Sequence, residues 1–258
     1  MPKSSVKLVQ NVFEARYERG YRYLDRCGDA MVILEEALPA ISNNNVWMPE
    51  EMQPTGARIK CPDIDVTVAF DAYRLCVDHN PADVKCPFEA ISKYVFDTVV
   101  AKFDIRKIIR LGNRQFYVIP TDSVEDADQL SVKKVQLKDW PKPESNDMNI
   151  RQCQVTTVFE NSDRSIGTQL CVKPVSRVEA PLQVEKRLRT PPHLLATGQR
   201  EALIGQLRRQ KQREQDPVAG LMVDIDYNWV KPEEVTLETF FDKADKEIKY
   251  LTGLFQGK

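Results

Sequence analysis

Asp224 and Asp226 stand one residue apart inside the apolar run GLMVDIDYNWV (220–230), and Asp63 and Asp65 repeat the same Asp-Ile-Asp in CPDIDVTVAF (61–70). In a strand, residues i and i+2 point the same way, so either pair could aim two carboxylates at one divalent cation. That is the chemistry of a metal-dependent phosphodiester hydrolase or nuclease, whose acids hold Mg²⁺. A strand with one wet face gives the same pattern without a metal. Leu221, Val223, Ile225, Tyr227 and Trp229 form an apolar side, and Met222, Asp224, Asp226 and Asn228 form the other. Ile64, Val66, Val68 and Phe70 against Asp63, Asp65, Thr67 and Asp71 repeat it. The wet-face reading needs no ligand and is preferred; within it, Asp224 and Asp226 either face bulk water or face the closing helix and Arg110 or Arg114 as charge partners.

Other constellations each lack a part. No glycine-rich phosphate loop precedes either aspartate pair, which counts against nucleotidyl transfer. Pro62-Asp63 followed by Asp83-Val84-Lys85 has the order of a nuclease motif, but the second piece sits between prolines in HNPADVKCP, a poor setting for a core strand. Cys76, His79 and Cys86 are neighbours without a paired CxxC, so a zinc site is thinly supported. His79 and His193 are the only histidines, and neither lies in a nucleophile motif; both read as loop residues. Residues 184–213 are strongly basic, and Arg208, Arg209, Lys211 and Arg213 could contact phosphates. No aromatic residue interleaves them to stack on bases, so a solvated insertion is preferred over a nucleic-acid contact.

The elements that must position these residues follow from periodicity. Residues 5–17 are strand-like. Leu24, Cys27, Met31, Leu34 and Leu38 mark a helix over 20–38 ended by Pro39. The segment NNNVWMPEEMQPTG reads as connection, and 58–78 as one long strand or a strand pair. A second helix runs from Pro87 to 103, its stripe being Phe88, Ile91, Val95, Val99 and Phe103. Gly112-Asn113 suggests a hairpin within 104–120. Two strand-like runs, 151–159 and 165–175, flank the turn residues ENSDRS. The closing helix, 236–255, carries Leu237, Phe240, Phe241, Ala244, Ile248, Leu251 and Phe255 at helical spacing.

The expected fold is α+β: a mostly antiparallel sheet in two halves with amphipathic helices on one face. The N-terminal half would span 1–137, a Pro-rich and charged linker 138–150, and the C-terminal half 151–258 with its basic insertion near 184–216. Both halves share strands with an Asp-Ile-Asp element followed by an amphipathic helix, a pattern that duplication would leave.

At 258 residues the chain can bury a sizeable core without staples, and its six cysteines read as reduced, mostly buried thiols. With 37 basic and 38 acidic side chains, no global field attracts nucleic acid or anionic membrane. The N-terminus lacks a secretory pattern, and no run reaches the roughly 18 apolar residues of a membrane span. A cytoplasmic location is the default expectation.

IIRLGNRQFYVIP, GLMVDIDYNWV and ETFFDKADKEIKYLTGLF, in that order, resemble a sporadically distributed family of uncharacterised bacterial proteins of about this length. Arg110, Gly112 and Arg114 match its Arg-x-Gly-x-Arg strand, and Asp224 and Asp226 its aspartate-bearing strand. The resemblance implies that 110–114 is one continuous strand with glycine at a bulge or close approach, against the hairpin expected above. It also implies an α+β fold of two related halves, and it transfers no catalytic residues. The expected function is therefore a non-catalytic cytoplasmic binding or assembly module, recognising a protein partner or forming a homodimer, with no cofactor. A metal-dependent hydrolase using an aspartate pair and a nucleic-acid binder using 184–213 are the alternatives.

Overall fold

The computed structural model describes residues 6–81, 85–134, 153–176, 219–230, 232 and 236–255. The expected linker at 138–150 and the basic segment 184–213 lie outside the described residues, as do Asp83 and His193.

β1 (Lys7–Tyr17) is followed by α1 (Tyr23–Ile41), then β2 (Met48–Gln53), β3 (Gly56–Cys61), β4 (Val66–Phe70), β5 (Arg74–His79) and α2 (Phe88–Phe103). β6 (Ile108–Thr121) and α3 (Val124–Lys134) come next, then β7 (Val155–Glu160), β8 (Ile166–Ser176), β9 (Ala219–Val230) and α4 (Leu237–Gly253). All nine strands among the described residues join one antiparallel sheet in the order β2-β3-β4-β5-β1-β6-β9-β8-β7. The α+β class with an antiparallel sheet is thus as expected.

The order reveals a repeat. A strand leads into a helix, a meander follows, the last strand of the meander returns to pair with the first, and a helix closes the unit. β1 to α2 is one copy, with β5 returning to β1; β6 to α4 is the other, with β9 returning to β6. The copies join where β1 pairs antiparallel with β6 at the middle of the sheet. By topology the first copy ends with α2 and the second begins with β6. The Asp-Ile-Asp echo is not part of this correspondence. Residues 62–65 form the turn between β3 and β4, whereas 224–226 lie inside β9.

Helices cover one face of the sheet, and the inward alternation supplies the core. Phe13, Ala15 and Tyr17 of β1, Val66, Val68 and Phe70 of β4, and Leu221, Val223, Ile225, Tyr227 and Trp229 of β9 join the buried stripes of α1, α2 and α4. Leu130 of α3 packs against the same cluster. Phe13 sits where the repeats meet: its ring lies 6.3 Å from Phe96 of α2 and 5.2 Å from Phe241 of α4.

Several local expectations change. Gly112-Asn113 does not turn; β6 runs unbroken through it, because β1 and β9 pair with both of its edges. Residues 58–78 make three strands, not one or two. The stretch expected as connection forms edge strand β2, which pairs with β3 despite Pro49. In α1, Tyr23 takes the buried place expected for Leu24, which is 70% exposed; its hydroxyl donates to the Gln53 carbonyl at 2.8 Å. Pro39 lies within the last turn of α1, and Ser42 then caps the helix end, its amide and hydroxyl both donating to the Leu38 carbonyl. α3 was not expected. Its signal is Ser123 followed by Asp126: the Ser123 hydroxyl accepts from the Asp126 amide at 3.1 Å and donates to its carboxylate at 2.7 Å, a reciprocal helix cap. The β7–β8 hairpin, the α2 stripe and the closing helix match expectation, α4 being capped by the Thr236 hydroxyl.

Phe13→Ala empties the junction between α2 and α4. A loss of about 3–5 kcal/mol in unfolding free energy is expected, measured by urea denaturation.

Candidate functional site: an arginine–aspartate lattice on the open face of the sheet

The outward positions of β1, β6 and β9 lie on the face opposite the aromatic core. Cross-strand register brings Glu14 opposite Gly112, and Gly112 opposite Asn228; Arg114 stands opposite Asp226. The ion pairs run diagonally to this register. Arg114 places Nε 2.8 Å from Asp224 Oδ1 and Nη2 2.6 Å from Oδ2, a bidentate fork. Arg110 donates Nη2 to both oxygens of Asp226, at 3.0 and 2.8 Å, and Nη1 to Glu14 at 3.0 Å. One guanidinium therefore ties β1 to β9 across β6.

Gly112 makes that reach possible. A β-carbon there would stand 2.9 Å from Arg110 Nη1 and 3.2 Å from its Cζ. The Arg110 side chain lies along its own strand, over the space a side chain at 112 would fill. Arg-x-Gly-x-Arg is thus a steric statement: the glycine is the floor on which the first arginine rests. Arg114 is held differently, its guanidinium stacked 4.6 Å from the centre of the Phe116 ring.

The lattice is partly dry. Asp224 is buried, and the Arg110 and Asp226 side chains are each only 22% exposed. Burial pushes the Asp226 carboxyl above the usual carboxylate range, while Arg110 and Arg114 pull it back. Further out on the same face, burial likewise raises Asp78, and Gln10 Nε2 offsets this by donating to both its oxygens at 2.9 and 3.1 Å.

The expected site residues therefore separate. Asp224, Asp226, Arg110 and Arg114 come together as charge partners, with Glu14 added, a residue that the sequence alone did not single out. Asp63 and Asp65 lie apart from them in the β3–β4 turn. Asp65 has φ of 49° and a loose contact of 3.7 Å with Lys60, so the wet strand face expected at 63–65 is a turn instead. Arg208, Arg209, Lys211 and Arg213 are outside the described residues. His79 is not in a loop: it ends β5, 7% exposed, with its ring stacked 6.0 Å from Phe88. Register puts Cys76 on the open face and His79 on the core face, so the two cannot share one metal. Among the described residues, no three acids, histidines or cysteines are grouped to hold a metal ion. None of the six cysteines forms a disulfide, and burial raises Cys76 to about 11 and Cys86 to about 12, which keeps both as thiols at neutral pH.

No family model, curated protein or solved structure matches this chain. No helix among the described residues is long and apolar enough to cross a membrane.

Gly112→Ala displaces the Arg110 guanidinium and is expected to cost up to about 1.5–3 kcal/mol, the worth of hydrogen bonds to charged groups. Because Gly112→Ala and Asp226→Asn break the same contact, the double variant should lose much less than the sum of the singles in a double-mutant cycle. The pH dependence has a sign as well. An acid raised in the folded state binds its proton more tightly there than in the unfolded chain. The contribution of Asp78 to stability thus falls as pH rises from about 3.9, the ordinary aspartate value, through the raised value, and is level above it. Asp78→Asn should flatten that stretch of the stability curve, read as urea midpoints from acid to neutral pH.

Proposed function

We propose that this chain is a non-catalytic binding or assembly module that works through contact with a protein partner or a second copy of itself. The observation carrying this reading is the engagement of the two neighbouring carboxylates of β9. Both oxygens of Asp224 accept from Arg114, and both oxygens of Asp226 accept from Arg110. A cation binding there would have to displace two guanidinium groups and leave them beside its own positive charge, an arrangement opposed by Coulomb repulsion in a partly dry site. As built, the lattice stitches three strands together, and all four oxygens of Asp224 and Asp226 already accept from an arginine.

The test sets this reading against the metal-dependent hydrolase. Thermal denaturation in millimolar Mn²⁺ should give an unchanged Tm, since a ligand at 100 times its Kd would add about 2.7 kcal/mol and move the transition visibly. Incubation with bis(p-nitrophenyl) phosphate and with single- and double-stranded DNA in Mg²⁺ or Mn²⁺ should release no product. Hydrolysis that disappears in both Asp224→Asn and Asp226→Asn would overturn the proposal.

A further inference from the structure

The two edges of the sheet are finished differently. β2 carries Pro49, Glu50 and Glu51, with a break of register between Pro49 and Glu51. Proline, charge and a bulge are the usual means of keeping an edge from pairing with another chain. β7, at the other edge, has no proline and no break of register, and its one charge is Glu160 at its end. The run 153–159, CQVTTVF, contains no proline and no charged residue, and Val158 and Phe159 are 58% and 45% exposed.

The hairpin register fixes which backbone groups of β7 are spent. Asn161 donates its amide to the Ile166 carbonyl at 3.1 Å. Alternation from that bond directs the N–H and C=O of Val155, Thr157 and Phe159 toward β8, and those of Thr156, Val158 and Glu160 outward, where no described strand pairs with them.

We infer that this edge pairs antiparallel with β7 of a second copy of the chain, joining two nine-stranded sheets into one. The inference rests on the assembly reading above and names its partner. A second copy fits for three reasons. A two-fold axis perpendicular to the sheet keeps each face on its own side, so residues that meet must share a face. Centred on Thr157, such pairing sets Val158 against Thr156 on the open face, Val155 against Phe159 on the core face, and Glu160 against neutral Gln154, so no like charges meet. The molecule already performs the same operation internally, where β1 and β6 join the two repeats antiparallel. Finally, because β2 is blocked, the contact closes as a two-fold dimer and does not propagate into a fibre.

Sedimentation equilibrium of the full chain across a wide concentration range tests this. The wild type should show the dimer mass, and Val158→Pro the monomer mass. The Val158 amide faces outward, so proline removes no bond of the fold, as is tolerated on edge strands. Val158→Lys, a gatekeeper charge, should do the same. Either variant should raise the dissociation constant at least about tenfold, the equivalent of about 1.4 kcal/mol, with the circular dichroism spectrum of the wild type. A wild type that stays monomeric throughout overturns the inference. So does a dimer that survives both substitutions, since its contact must lie elsewhere. Neither outcome touches the non-catalytic reading, which fails only by the hydrolysis assays.

Discussion

β1 and β6 pair antiparallel along most of their lengths, and each is flanked on its far side by the strand that closes its own repeat, β5 or β9. The inward face of this central pair lies where the two repeats meet, with α2 and α4 each packed in the same core. Phe13 shows the consequence, its ring meeting aromatic residues of both helices. On the opposite face the same pairing brings Glu14 beside Gly112, and so gives Arg110 two carboxylates to bridge. Core and ion lattice are thus two sides of one register. A slip of one residue would reverse both, sending Phe13 to solvent and Glu14 into the aromatic cluster.

The lattice explains how two charges can sit in a strand as apolar as β9. Asp224 and Asp226 alternate with Val223, Ile225 and Tyr227, and the outward face they occupy is only partly wet because arginines lie over it. Stability there depends on completeness: a buried carboxylate with a bidentate partner is tolerated, and one that has lost its partner is costly. Arginine suits this better than lysine because its planar fork can satisfy two oxygens at once.

The sequence announces the pieces of this arrangement more clearly than their assembly. Strict alternation in 220–230 identifies β9 and its wet face, and the stripes at 88–103 and 237–251 identify two helices, because those signals are local. The partners of the aspartates are separated from them by 110 and 116 residues, so the alternation that places Asp224 cannot say which cation covers it. Gly112 was misleading for a related reason. A Gly-Asn pair between β-rich flanks has the local chemistry of a turn, and only two neighbouring strands, each distant in sequence, hold it extended. At 62–65 the opposite occurred: continuous alternation concealed a turn, because Ile64 is buried within the turn and keeps the period unbroken. The repeat was visible as a loose grammar, but the Asp-Ile-Asp echo pointed to the wrong correspondence; strand order shows the right one.

The central position of β1 also has a meaning in time. As the chain leaves the ribosome, β1 is made first and can close its repeat by pairing with β5, but its other edge must wait until β6 has been synthesised. During that interval Asn11, Phe13 and Ala15 belong to an open strand, with the aromatic helix α4 still to come. The first repeat alone is a sheet with a bare edge at what will be the middle of the finished molecule. Pairing with β6 covers that edge, so the same bonds that join the repeats also remove an unpaired strand from the first one.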